Sequence, residues 1–230
     1  MNRNLFRHLE MVARFVVLAC LALSLAACST TSQGRKTTTS GFLPDYSQLH
    51  PGEEGEAQLI YINSDKTLGA YTKIQMDPIT VYAGEDCDLE KIPEDELKGI
   101  LDYFDAAVRE QLKGDYTFVS NPGPDTMRLR IALTEAKGAN VLLNTASSVS
   151  PAGIALSGLK KAVTGKSTGV GQARAEMELL DASTGRRLAA AVDERVGSKG
   201  SSFKKWDGVK SAIDYWAERL RIRLVEMRSQ

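Results

Sequence analysis

Apolar residues recur every three or four positions near the end of the chain, at Phe203, Trp206, Val209, Ile213, Trp216, Leu220, Leu224 and Met227. Lys204, Lys205, Lys210, Asp214, Glu218, Arg219, Arg221 and Arg223 fill most of the positions between them. This spacing predicts an amphipathic helix with one face on a core. Trp206 and Trp216 fall on the apolar stripe and read as packing residues rather than a ligand-stacking pair. A second helix is predicted over "IPEDELKGILDYFDAAVREQLKG". Pro93 and the acids Glu94, Asp95 and Glu96 suit its first turn. Leu97, Ile100, Leu101, Phe104, Val108 and Leu112 form its stripe, and Gly114 suits its end.

Between the helices the period changes to two. "MRLRIALTEA" places Leu129, Ile131 and Leu133 on one side and Arg128, Arg130 and Ala132 on the other. "GQARAEMELL" sets Ala173, Ala175, Met177 and Leu179 against Gln172, Arg174, Glu176 and Glu178. "DASTG" turns the chain, and "RRLAAAVDERV" returns with Leu188, Ala190 and Val192 inward. Such alternation predicts a hairpin with one buried and one wet face. "YTKIQMDPITVY" reads as a strand interrupted at Asp77-Pro78, because proline removes a ladder donor. "DYTFVS" is a shorter strand, closed by the turn "NPGPD". The order β-α-β-β-β-β-α predicts one α+β domain, with a mostly antiparallel sheet and both long helices on one face.

The opening residues follow neither period. Arg3, Arg7 and Arg14 precede "FVVLACLALSLAA", which has no charge and ends at Ala27. Thirteen such residues are too few to span a bilayer, which takes about 20, and suit the core of an export signal. Leu25-Ala26-Ala27-Cys28 resembles the lipobox of bacterial lipoproteins. That resemblance implies cleavage before Cys28 and a diacylglycerol thioether on its thiol. Ser29 rather than Asp after the cysteine implies sorting to the outer membrane. Cys20, in Val17-Leu18-Ala19-Cys20, is a weaker competitor because Leu18 is bulky. Met11 is an alternative start. The expected organisation is a signal peptide over 1–27, then 28–56 with the lipidated cysteine, a flexible tether and an extended segment. A periplasmic domain over 57–230 follows, with an insert at 140–169.

"STTSQGRKTTTS" (residues 29–40) is polar and aperiodic, as a tether would be. In the segment after it, Phe42, Leu43, Tyr46 and Leu49 are expected to dock onto the domain, since free exposed aromatics are a liability. "SGFLPDYSQL", "MDPITVY", "LLDASTGRRLAAAVD" and "WDGVKSAIDYWAERLRIRL" occur in this order. Together they resemble a proteobacterial lipoprotein family defined by a domain of unknown function, number thirty-three thirteen. The most specific stretch is Gly41, Phe42, Leu43, Asp45, Tyr46 and Ser47. The resemblance implies an exported lipoprotein and supplies no catalytic residue.

Charge and chemistry narrow the picture further. Basic and acidic residues balance at 29 each, and the first 27 residues remove three arginines and one acid. The remainder is slightly acidic, which excludes a basic nucleic-acid footprint. Cys87 is then the one free cysteine, and Glu85, Asp86 and Asp88 around it disfavour a thiolate. His50 is the one histidine past the signal. One of each, far apart in the chain, makes no zinc site and leaves a serine or cysteine nucleophile without a paired base. "GLKKAVTGKST" ends in Gly-Lys-Ser-Thr, but Lys160 stands where a phosphate loop needs glycine. No nucleotide, metal or cofactor is expected. Asp102 and Asp105 lie on a charged helix face, where solvation accounts for them. The insert carries Ile154, Leu159, Lys160 and Lys161 on a short helical pattern. It fits a short helix covering one end of the sheet, the reading that Gly153 and Gly158 favour by weakening the helix, or a mobile partner or headgroup contact. The expectation is a non-catalytic lipoprotein of the outer membrane, facing the periplasm, in envelope assembly or as an accessory subunit. Its expected partners are the membrane, through the lipid, and an envelope protein. The alternatives are a module for a small apolar ligand between sheet and helices, or a cell-wall enzyme.

Overall fold

The computed structural model describes residues 31–34, 38–64, 68–83, 89–139, 170–197 and 204–228. Its strands are β1 (Thr31–Gln33), β2 (His50–Pro51), β3 (Leu59–Ile62), β4 (Lys73–Met76), β5 (Thr80–Val81), β6 (Thr117–Phe118), β7 (Thr126–Lys137), β8 (Gln172–Asp181) and β9 (Arg187–Gly197). Helix α1 is Glu94–Leu112 and helix α2 is Asp207–Arg228. They form one α+β domain. The sheet runs β2-β3-β9-β8-β7-β4-β6, with β1 also on β9 and β5 also on β7. Pairing is antiparallel from β2 to β7, while β4–β7, β5–β7 and β4–β6 are parallel.

The period-two segments form the centre of this sheet. Leu129, Ile131, Leu133, Ala173, Ala175 and Leu179 are buried on the face that carries the helices. Both helices pack there, as their stripes predict. Tyr103 Oη donates to Asp214 at 2.8 Å. Trp206 Nε1 reaches Glu96 at one end of the pair, and Arg221 reaches Asp115 at the other. The helices therefore run parallel, with both N-termini at the end where β7 finishes and β8 begins. Phe104 and Trp216 stack between them with ring centroids 5.8 Å apart. Trp216 is thus a core residue, and no ligand-stacking pair with Trp206 exists. Asp102 and Asp105 pair with Lys98 and Arg109 along the outer side of α1.

Three features depart from the expected pattern. First, stretches of the chain from Thr31 to Ile62 are part of the sheet, since β1, β2 and β3 add strands to its β9 side. Thr31–Gln33, within the stretch expected to be a tether, pairs with Arg195–Gly197. Second, the expected strand 71–82 is two strands, β4 and β5, each parallel to β7. Asp77 and Pro78 separate them, and Arg128 grips Asp77 through both carboxylate oxygens at 2.8 and 2.9 Å. Third, the hairpin has no wet face. Ala132, Gln172, Glu176, Glu178 and Glu194 are all buried. A register shift at Leu179/Leu180 turns Leu188 into the helix-side core, so Ala190 and Val192 face the opposite way.

Candidate functional site

The buried second face is built around charges and closed by the N-terminal segment. Arg174 binds Glu135 at 2.7 Å and Glu194 at 2.6 Å. Burial alone would raise the Glu135 carboxyl. Lys137, Arg174 and Gln172 outweigh that and hold it below the usual range. Glu178 takes guanidinium groups from Arg130 and Arg187. Gly34 crosses over Glu194 so closely that a Cβ there would sit 2.7 Å from its Oε1.

Residues 38–49 lie across this layer as a strap. Leu43 is buried against Ala190 and Val192. Phe42 stacks under the Arg130 guanidinium, 4.9 Å away, and meets Tyr82 edge-on. Gly41 has a φ of +95°, in the left-handed region where a side chain is strained. The Tyr46 hydroxyl accepts N–H groups from Gly41 and Leu43 at 2.9 and 3.1 Å and donates to buried Glu176. Glu176 also accepts the Ser40 N–H at 2.6 Å. Asp45 caps the turn through the Ser47 N–H and hydroxyl. Its carbonyl accepts from Arg187 at 2.7 Å. The docking expected of Phe42, Leu43, Tyr46 and Leu49 is observed, and the motif Gly41, Phe42, Leu43, Asp45, Tyr46 is the lock that holds it. Tyr46→Phe removes one donor and one double acceptor from a buried carboxylate site. It is expected to lower stability by about 1–3 kcal/mol, read as a shifted urea midpoint. A loss below about 0.5 kcal/mol would show that the strap is held by Leu43 and Phe42 alone.

Among the described residues, the helix side contains a feature shaped to receive something. Seven strands abreast span about 29 Å at roughly 4.8 Å each, whereas two helices about 8–10 Å apart shade about 20 Å. Helix α2 lies over β8 and β9, so β3 overhangs. A cavity of about 120 Å³ opens there. Ile60, Ile62, Met177, Ala191, Leu220 and Leu224 are among the residues that line it. Ile62 is 36% exposed at the overhang. At the inner wall Asp193 accepts from Gln33 Nε2 at 2.9 Å, Trp216 Nε1 at 2.8 Å and the Gln58 N–H at 3.2 Å. Burial pushes its carboxyl above the usual range despite those donors. Asp193 thus pins β1, β9, α2 and the approach to β3 together behind the cleft. At the cleft's outer edge Arg223 is bound to Glu56 and Glu226. Arg219 donates to the Gly55 carbonyl and has no carboxylate partner among the described residues.

Leu25, Ala26, Ala27 and Cys28 lie outside the described residues, as do Cys87 and the insert with Ile154, Leu159, Lys160 and Lys161. His50 is exposed in β2. Among the described residues no group of three or more His, Cys, Asp or Glu is placed to hold a metal, and no helix is long and apolar enough to cross a membrane. The residues of the cleft were missed as a site by sequence reasoning. Their only signal was an excess of apolar sheet face over helix to cover it.

A family model described as "Protein of unknown function (DUF3313)" matches residues 38–220, a span that starts at the strap and ends inside α2. None of the curated proteins matches the chain. Among solved structures, the PelC dodecamer from Paraburkholderia phytofirmans is 15% identical, with a TM-score of 0.40 over 70% of this chain and 96% of that one. A DUF4136 family protein from Bacteroides thetaiotaomicron is 9% identical, with a TM-score of 0.36 over 74% of this chain and 95% of that one. A putative neuraminyllactose-binding hemagglutinin homolog from Helicobacter pylori is 10% identical, with a TM-score of 0.35 over 78% and 90% of the two chains. Likenesses this distant carry no argument about function.

Proposed function

The chain belongs to the DUF3313 family, and on that premise we propose that it is a lipid-anchored, non-catalytic envelope protein that holds an apolar group in the cleft beside α2. The cleft is the observation that carries this reading. Its walls are mainly apolar, and Asp193 at its inner wall already accepts from three donors. Such a wall binds by removing apolar surface from water, at roughly 25 cal/mol per Å². It offers no nucleophile paired with a base.

The anchoring part rests on Leu25-Ala26-Ala27-Cys28 behind a charge-free run. In this reading Cys28 carries the lipid, the protein sits at the outer membrane, and the domain faces the periplasm in an assembly or accessory role. Cys28→Ala is expected to abolish palmitate labelling and to move the protein from the membrane to the soluble fraction. Unchanged labelling and fractionation would remove the anchor from the proposal and leave the cleft untouched.

A further inference from the structure

The apolar-group reading of the cleft can be sharpened to a ligand class, and the inference below rests on that reading. We propose that the cleft binds the tail of a single-chain fatty carboxylate, with its carboxylate on Arg219. Three observations converge on this class.

The first is size. A dry protein cavity of about 150 Å³ accepts a six-carbon ring, so 120 Å³ suits about five or six carbons. A longer chain continues outward over Ile62, which is 36% exposed. The second is the wall. Ile60, Met177, Ala191, Leu220 and Leu224 present no hydrogen-bonding side chain to a ligand, so the inserted part is hydrocarbon. The third is charge. Arg219 lines the same cleft and donates to a neutral carbonyl. Arg223, one turn on, is already matched by Glu56 and Glu226. Among the described residues Arg219 is therefore the cation of this cleft that lacks an anion. A guanidinium in that state favours a carboxylate as a charge-assisted hydrogen-bond partner.

Trp216 lines the cleft and reports on it. The test uses the full mature chain in phosphatidylcholine nanodiscs. Quenching of its fluorescence is titrated with 8-bromooctanoate and with 8-bromooctan-1-ol. Ala191→Phe fills the cleft and supplies the background for Trp206 and for partition into the nanodisc lipid. The acid is expected to bind about tenfold more tightly than the alcohol. Arg219→Gln is expected to remove that advantage without changing the alcohol's affinity. In a competition series of unbranched carboxylates, affinity is expected to rise about fourfold per methylene and to level off near six carbons in the cavity.

Equal binding of acid and alcohol would overturn the carboxylate assignment while leaving the apolar cleft standing. Quenching that Ala191→Phe does not reduce would overturn both. Should Ala191→Phe fail to fold, Ala189→Leu at the same wall serves as the filling variant, with the urea midpoint as its control.

Discussion

Arg174→Met is expected to destabilise the fold by about 3–5 kcal/mol. The guanidinium stands between Glu135 and Glu194, whose side chains are 5% and 1% exposed. Removing it leaves two carboxylates in a space closed to water. Glu135 keeps Lys137 at 2.7 Å, while Glu194 loses its 2.6 Å contact with the guanidinium. Breaking a buried pair costs far more than replacing all of it, because an uncompensated charge is left behind. The triple change Arg174→Met, Glu135→Leu and Glu194→Leu is therefore expected to recover most of the loss. Urea unfolding of the single and triple variants decides the matter. A single variant within about 1 kcal/mol of the parent would show that water reaches this layer.

Phe104→Ala is expected to cost a similar amount, about 3–5 kcal/mol, by a different route. Phe104 is fully buried and stacks on Trp216 at an interplanar angle of 27°. Truncation leaves a void between two parallel helices that are held at both ends, by Trp206 and Lys205 on Glu96 and by Arg221 on Asp115. Helices pinned in this way cannot close over the gap, so the cavity persists and its lining loses contacts outright. The far-UV circular dichroism is expected to stay native while the unfolding midpoint falls. A cost below about 2 kcal/mol would mean that the pair collapses onto the vacated site.

The two helices were legible because their apolar residues repeat at the helical period and tertiary packing agrees with it. Strands β7, β8 and β9 were legible from alternation, but alternation reports polarity and not exposure. Arg130, Arg174, Glu176 and Glu178 alternate as solvent-facing residues would, yet they form a largely buried ionic layer under the strap. The hint was present in complementary charges on neighbouring strands and in an aromatic segment with no element of its own to pack on. Leu188 was read correctly as inward, but Ala190 and Val192 were read onto its face, because Ala189, Ala190 and Ala191 carry no polar contrast to mark the bulge. Strands β1, β2 and β3 hold two to four residues each, too few for a period to show. An apolar site between sheet and helices was foreseen as an alternative, but the residues that form the cleft were not. The cleft arises from the breadth of the sheet against the number of helices, which no local pattern encodes.

The strap has a further consequence, for the order in which the molecule assembles. Tyr46 meets Glu176 across 130 residues of chain, Asp45 meets Arg187 across 142, and Gln33 meets Asp193 across 160. Contacts this distant close late, because the entropy of long loops is spent before the contacts form. A segment made before β8 and β9 is thus the last to find its place. Until β8 and β9 exist, Phe42, Leu43 and Tyr46 have no surface to cover. Throughout that interval the aromatic and apolar side chains of the motif stay uncovered.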